Sequence, residues 1–175
     1  MIYIVFGLPG VGKTFVGKIL EKDFGFYQHD GDVDLPDDMR LTLSQNGKVT
    51  DDMRDEFFQN ILGSLERLDK KYKNIVVAQT FIKEKYREWV LEKFPKAKFL
   101  LVVTPDDIRE SRLGKRIDYP LDLEYSRQMV MNFDEPHIPH IRLDNSQEGA
   151  ESVKEQLEKI LNRFQDDSKF REENQ

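Results

Sequence analysis

The residues best suited to chemistry in this sequence lie at positions 7–14, which read GLPGVGKT. A glycine, four further residues, a second glycine, a lysine and a threonine make the P-loop pattern. Its glycines let backbone N–H groups turn inward around a phosphate at the start of a helix. Lys13 supplies a compact positive charge for the β- and γ-phosphates of a nucleotide. The Thr14 hydroxyl can ligate the Mg²⁺ that bridges those phosphates.

The surroundings of this loop matter, because a glycine-rich turn can also join a strand to a helix without binding anything. Residues 2–6 are apolar throughout and predict a strand buried on both faces, and residues 11–23 have apolar side chains at helical spacing. This is the context that a P-loop requires. The pattern by itself leaves hydrolase, kinase and switch open. The residues predicted to bind the nucleotide here are Gly7, Gly10, Val11, Gly12, Lys13, Thr14 and Phe15.

A second polar cluster, HDGD at positions 29–32, follows a weaker predicted strand that ends near Asp30. Ligands of open α/β sheets bind beyond the carboxyl ends of the strands. If the segment is extended, Asp30 and Asp32 point to the same side. One carboxylate near Mg²⁺ and one near an acceptor hydroxyl would suit phosphoryl transfer, which depends on positioning and electrostatics. The alternative is an acidic turn that merely ends a strand.

The elements that must position these residues alternate along the chain. Short apolar runs at 2–6, 75–78 and 99–103 are separated by long stretches of helical period, and 138–143 is a candidate fifth strand. This order predicts a three-layer α/β fold, a parallel sheet with helices on both faces. Helices are predicted at 36–45, at 51–72 and around 82–94, with a closing helix near 153–164. Another should run from Thr104, as its hydroxyl cap, to about Lys115.

A chain of 175 residues provides one domain with its own core. We predict a single domain over residues 1–164 with a short mobile lid at about 114–122. Residues 165–175 are expected to be a charged tail, either a frayed helical end or disordered.

The composition excludes several classes of function. Without cysteine there are no disulfides, thiol nucleophiles or thiolate zinc sites, and a net charge of −6 argues against a broad basic surface for nucleic acid. No apolar run approaches the roughly 20 residues that span a bilayer. We therefore expect a cytoplasmic protein with no membrane association, and we expect it to be a monomer or a homodimer.

Taken together, the motifs resemble the gluconate kinase and shikimate kinase group of nucleoside-monophosphate-kinase-like P-loop enzymes. The resemblance rests on residues 7–14, 30–32, 47–54 and 83–87 and continues through 110–113 to 133–136. It implies a five-stranded parallel sheet of order 2-3-1-4-5 with a lid between the last long helices. It also implies ATP and Mg²⁺ as cofactors, and transfer of the γ-phosphate to a hydroxyl of a gluconate-like sugar acid or a shikimate-like acid.

Carried over residue by residue, the resemblance implies that Asp32 orients or deprotonates the acceptor hydroxyl, while Asp30 helps to hold Mg²⁺ through water. It implies that Arg112 lies against the adenine or the phosphates, and that Arg116 is a lid arginine that neutralises charge on the transferred group. Arg54 would bind an anionic part of the acceptor. Each arginine could instead belong to a solvated helix face. The implied catalytic residues are Lys13, Asp32 and Arg116.

The sequence departs from gluconate kinases after Asp32 and after the third strand, where AQTF stands at 78–81. Gln79 and Thr80 would still lie beside the P-loop and are expected to contact the substrate or a catalytic water, although Thr80 could simply cap a helix. These departures leave the acceptor open. A nucleoside, nucleotide or polynucleotide-end kinase shares the motifs, and an aromatic-lined acceptor site would favour it. A non-catalytic or slowly hydrolysing ATP-binding module is the alternative from another class.

Overall fold

The computed structural model describes residues 1–45, 47–115 and 123–172, and for residues 123–125 and 165–172 it describes the backbone alone. Five parallel strands form one sheet of order β2-β3-β1-β4-β5, which confirms the predicted fold class and strand order. The strands are β1 Ile2–Phe6, β2 Tyr27–Asp30, β3 Ile75–Ala78, β4 Lys98–Val103 and β5 Ile141–Asp144.

Helices lie on both faces of this sheet and connect its strands. Within the described residues they are α1 Lys13–Phe24, α2 Asp37–Ser44, α3 Asp51–Asp69, α4 Glu84–Lys93, α5 Asp106–Gly114, α6 Leu123–Met131 and α7 Glu151–Glu172. The backbone of α7 thus continues through most of the stretch expected to be a charged tail. The predicted lid lies outside the described residues, except for Gly114 and Lys115.

The core is divided by the sheet into two clusters, because successive side chains of a strand point to opposite faces. Ile4 and Phe6 of β1 pack into the cluster that includes α3 and α4. Tyr3 and Val5 pack into the other cluster, with α1 and α7. The continuous apolar run of β1 therefore supplies both layers, and the P-loop that follows it begins at the centre of the sheet.

Two predictions about how elements begin were wrong. β5 begins at Ile141 and not at Ile138, because the Ile138 amide donates to Glu84 Oε1 at 2.8 Å and Pro139 has no amide to offer a neighbouring strand. Thr104 does not cap α5, which begins after Pro105 without a side-chain cap. Its hydroxyl donates instead to the carbonyl oxygens of Val11 and Asn145.

Among the described residues, no helix has the length and apolar character needed to span a membrane.

Candidate functional site

The phosphate loop connects β1 to α1 through glycines that have positive φ angles. Gly12 precedes the helix with a φ of 94°, and a Cβ there would lie 2.2 Å from Asn145 Nδ2. Gly7 has a φ of 141°, and a Cβ there would lie 2.5 Å from the Val102 carbonyl oxygen. Only glycine fits both positions, because the conformation and the space each exclude a side chain. The N-terminus of α1 consequently faces the cavity, with its positive dipole end available to an anion.

Side chains from two distant elements hold this loop in place. Asn145, just after β5, is 3% exposed, and its Nδ2 donates to the Val11 carbonyl at 2.8 Å. The same carbonyl accepts from Thr104 Oγ1 at 3.2 Å. Arg112 Nη1 donates to the Asn145 backbone carbonyl at 2.9 Å. Sequence analysis missed Asn145, because a lone asparagine after a short strand carries no motif.

Lys13, Thr14 and Asp30 line one cavity beside the loop. Lys13 Nζ donates to the Leu8 carbonyl at 2.9 Å, so its ammonium lies over the turn. Asp30 and Thr14 are exposed, and Asp30 Oδ1 accepts from the Asp32 amide at 3.1 Å. The described residues contain no cluster of three or more His, Cys, Asp or Glu side chains that could hold a metal alone. A hydroxyl and one carboxylate do fit Mg²⁺ bound with a nucleotide, since phosphates and waters supply its remaining oxygens.

Asp32 lies in a 3₁₀ helix, Gly31–Asp34, and not in an extended strand end. The prediction that Asp30 and Asp32 share one side of an extended segment was therefore wrong. Asp30 caps this turn by accepting the Asp32 amide, an arrangement that acidic residues favour locally. Both side chains nevertheless line the same cavity as Lys13.

Gln79 holds the Asp32 carboxylate in place, and the surroundings of this carboxyl raise its pKa. Gln79 Nε2 donates to Asp32 Oδ1 at 2.8 Å. Burial raises the pKa of the Asp32 carboxyl above its ordinary value, although the Gln79 hydrogen bond lowers it; the charge of Asp30 raises it, and those of Lys13 and Arg40 lower it. A carboxylate with a raised pKa is a better proton acceptor than an ordinary aspartate.

The turn after β3 presents Gln79 in the orientation that Asp32 needs. Gln79 Oε1 accepts from the Thr80 amide at 2.7 Å, which leaves its amino group directed at the carboxylate. Phe81, two residues on, is fully buried with a φ of 47°, an unusual backbone conformation for a bulky residue. Such strain persists only where surrounding packing enforces it, and it often lies at functional sites.

A partly buried network of polar side chains holds the 3₁₀ helix in place. His29 Nε2 and Asp34 Oδ2 are 2.6 Å apart, and Ser64 Oγ of α3 donates to Asp34 Oδ1 at 2.5 Å. Asn60 Nδ2 donates to the Asp34 carbonyl at 3.1 Å. Asp34 therefore fixes the segment that carries Asp32 to both β2 and α3.

A single cavity of about 590 Å³ joins these groups. The phosphate loop and the segment after β2 contribute polar side chains to its lining, and α2 and α3 contribute apolar side chains together with Arg54. The described residues that line it are Pro9, Gly10, Gly12, Lys13, Thr14, Asp30, Asp32, Leu35, Met39, Leu43, Arg54, Phe57, Phe58, Ala78, Gln79, Thr80, Ile82, Lys115 and Met129.

The other predicted site residues are distributed as follows. Arg54 lines the cavity, and its Nη1 donates to Asp51 Oδ1 at 3.2 Å. Arg112 does not line the cavity, and its guanidinium contacts Thr104 and Asn145, the residues that hold the phosphate loop. Phe15 is 39% exposed and Val11 is buried, and neither lines the cavity. Arg116 lies outside the described residues.

A parallel sheet of order 2-3-1-4-5 whose first strand leads into a phosphate loop defines the P-loop kinase fold. Residues 4–132 match the sequence profile of the AAA domain family, and the chain belongs to that family. The gluconate and shikimate kinase resemblance is confirmed at the level of fold.

No curated protein sequence matches the chain significantly. Solved structures do resemble it. A gluconokinase from Sinorhizobium meliloti 1021 has a TM-score of 0.78 and 22% identity over 94% of this chain and 93% of that one. A sugar kinase from Janibacter sp. HTCC2649 has a TM-score of 0.76 and 21% identity over 89% and 91%. The shikimate kinase of Aquifex aeolicus has a TM-score of 0.57 and 17% identity over 93% and 98%.

Proposed function

We propose that this protein is an ATP-dependent phosphotransferase that moves the γ-phosphate of ATP to a hydroxyl of a small metabolite. The observation that carries the proposal is the shared cavity, in which the phosphate-loop Lys13 and the carboxylate of Asp32 face one space. A loop that holds phosphates and a base that can accept a proton are the two parts that phosphoryl transfer needs.

In the proposed reaction the loop amides and Lys13 hold the β- and γ-phosphates of ATP. The acceptor oxygen bonds to the γ-phosphorus, the bond from that phosphorus to the bridging oxygen breaks, and ADP leaves with the bonding pair. Asp32 takes the proton that the hydroxyl loses, and Gln79 keeps the carboxylate in position. Thr14, with Asp30 through water, would hold Mg²⁺, which screens the phosphate charge when bound.

The proposal also assigns a role to each of three arginines. Arg54 lines the cavity and would bind an anionic or polar end of the acceptor. Arg112 supports the phosphate loop, so we assign it to positioning of the nucleotide site. Arg116 would neutralise charge on the transferred group. We propose a cytoplasmic enzyme, monomeric or homodimeric, with ATP and Mg²⁺ as cofactors.

The family resemblance makes a gluconate-like or shikimate-like acid the first candidate acceptor. A specific observation favours a second candidate of the nucleoside type, because aromatic and aliphatic side chains line much of the cavity.

The test is ADP release measured with a panel of small hydroxyl compounds against a background without acceptor. We expect at least one compound to stimulate turnover well above that background. Nucleotide binding without stimulation by any acceptor would contradict the proposal and favour an ATP-binding regulatory module.

A further inference from the structure

Apolar side chains form a large share of the lining of the cavity. Among the described lining residues, seven larger side chains are aliphatic, thioether or aromatic, and they come from α2, α3, α6 and neighbouring loops. They are Leu35, Met39, Leu43, Phe57, Phe58, Ile82 and Met129. These seven side chains form an apolar wall of the cavity, which the carboxylate of Asp32 also lines.

The wall is part of the hydrophobic core and is therefore held in shape. Phe57 and Met39 are each 5% exposed. Phe58 stacks on Tyr86 with ring centroids 3.9 Å apart and planes 15° apart, and it also contacts Phe81 at 4.9 Å. Because these rings are fixed by packing on their far sides, a ligand meets preformed apolar surface and does not have to order it.

The polar side chains of the lining come mainly from the phosphate loop and from the segments at the ends of β2 and β3. They are Lys13, Thr14, Asp30, Asp32, Gln79 and Thr80, together with Lys115 and with Arg54, the one polar side chain among the described α3 residues that line the cavity. Arg54 lies one helical turn before Phe57 and Phe58, so it is on the same face of α3.

This arrangement discriminates between acceptor classes. A sugar acid carries a hydroxyl on nearly every carbon, and each hydroxyl buried against aliphatic or aromatic side chains without a partner costs about 1–3 kcal/mol. A flat apolar body gains about 25 cal/mol for each Å² that it removes from water. The apolar part of the lining therefore favours an acceptor with a reactive hydroxyl end and a planar ring body whose faces can lie against these side chains.

We infer that the acceptor is a nucleoside, with a sugar hydroxyl at Asp32, the base among the side chains of α2 and α3, and a polar edge of the base at Arg54. The inference rests on the proposed function and narrows its substrate class. The sugar moiety would lie beside Asp32, Gln79 and Thr80, which line the same cavity.

The first experiment compares kcat/KM for adenosine, deoxyadenosine, cytidine and thymidine with that for D-gluconate and shikimate. We expect the best nucleoside to exceed both acids by roughly 100-fold, since buried polar mismatches discriminate strongly. If an acid is the better acceptor, this inference is overturned while the proposed function stands. If no compound stimulates ADP release, the proposed function fails and the inference fails with it.

The second experiment places the base against α2 with a matched pair of variants. Leu43 lines the cavity and is partly buried, whereas Leu41 on the same helix is 57% exposed and does not line it. Leu43→Gln should lower kcat/KM for the best nucleoside about tenfold, because a polar group replaces apolar contact with the base. Leu41→Gln should change it less than about twofold. Equal effects of the two variants would overturn this placement, and thermal melting of both checks that each is folded.

Discussion

At the scale of single residues, Asp32 illustrates how the fold tunes a group that the sequence already singles out. The identity of the residue follows from the Asp-Gly-Asp motif, but its raised pKa and its hydrogen bond to Gln79 depend on tertiary contacts. Gln79 follows β3 and is 47 positions away in the chain. No local pattern contains that contact, so the sequence predicted a role for Gln79 only by its place at the edge of the sheet.

We expect Asp32→Asn to lower kcat by 10²–10⁴-fold, roughly the contribution of a general base, with little change in nucleotide binding. Asp37→Asn, at the exposed start of α2, is the matched control and should leave kcat close to wild type. Steady-state kinetics with nucleotide titration measure both quantities. An unchanged kcat in the Asp32 variant would assign the residue to structure.

The same substitution has a predictable effect on stability. A carboxyl whose pKa is higher in the folded state binds its proton more tightly there. Its contribution to the free energy of unfolding is therefore fully present below the ordinary pKa of 3.8 and is lost as pH rises through the raised value. Urea unfolding from pH 3 upward should show Asp32→Asn gaining stability relative to wild type across that window. A relative loss there would contradict the raised pKa.

At the scale of elements, the phosphate loop depends on contacts from residues that are distant in the chain. Asn145 follows β5 and Thr104 follows β4, and both donate to the Val11 carbonyl. The loop motif was predictable because its glycines and lysine are contiguous. The residues that anchor the loop, Thr104 and Asn145, were not predictable, because they are ordinary polar residues that are brought together only by the order of the strands. The same reason explains why Thr104 was wrongly predicted as a helix cap.

Asn145→Ala should raise KM for ATP about tenfold, because the loop loses the donor that fixes one of its carbonyls. The loss of a buried hydrogen bond should also reduce the free energy of unfolding by about 1–2 kcal/mol. Asn132→Ala, at an exposed asparagine just after α6, is the control. A variant that loses stability but keeps the KM for ATP would contradict the positioning role and leave Asn145 as a structural residue only.

Arg87 belongs to residues 83–87, one of the segments that carry the family resemblance, and its contacts stabilise the fold. Its side chain is fully buried, with Nε 2.6 Å from Glu84 Oε2 and Nη2 donating to the Asp134 carbonyl at 2.8 Å. The guanidinium lies over the rings of Phe6 and Phe133. Residues 83–87 and 133–136 therefore meet in space, and they join the start of α4 to the chain that follows α6.

Arg87→Ala should lower the free energy of unfolding by about 3 kcal/mol, because Glu84 loses its buried partner and the aromatic rings lose a filled space. Glu88→Ala, an exposed neighbour on α4, should cost less than about 0.5 kcal/mol. Urea denaturation of both variants measures the difference. A loss below about 1 kcal/mol in the Arg87 variant would mean that the ion pair contributes little beyond its own desolvation.

At the scale of the whole molecule, the strand order and layers were predictable, because apolar strands and amphipathic helices alternate along the chain. The apolar wall of the cavity was not predictable, because α2 and α3 turn their apolar faces toward both the core and the cavity. Met39 and Phe57 are core residues by pattern and cavity residues by position. The family resemblance suggested a polyol acid, and the lining of the cavity favours a nucleoside.

The net charge of −6 is also a property of the whole molecule, and it affects how ATP is captured. An acidic surface offers no long-range attraction to ATP, so the nucleotide must be captured by the loop amides, the start of α1 and Lys13. A variant without that lysine should therefore lose function that the rest of the surface cannot replace.

The most direct test of this account follows label from γ-³²P-ATP into the acceptor found in the panel. We predict labelled acceptor with the wild-type protein and with Lys18→Ala, an exposed lysine of α1, and at least about 1,000-fold less with Lys13→Ala. Label found only in inorganic phosphate, or transfer retained by Lys13→Ala, would contradict the claim that this cavity catalyses phosphoryl transfer to a hydroxyl.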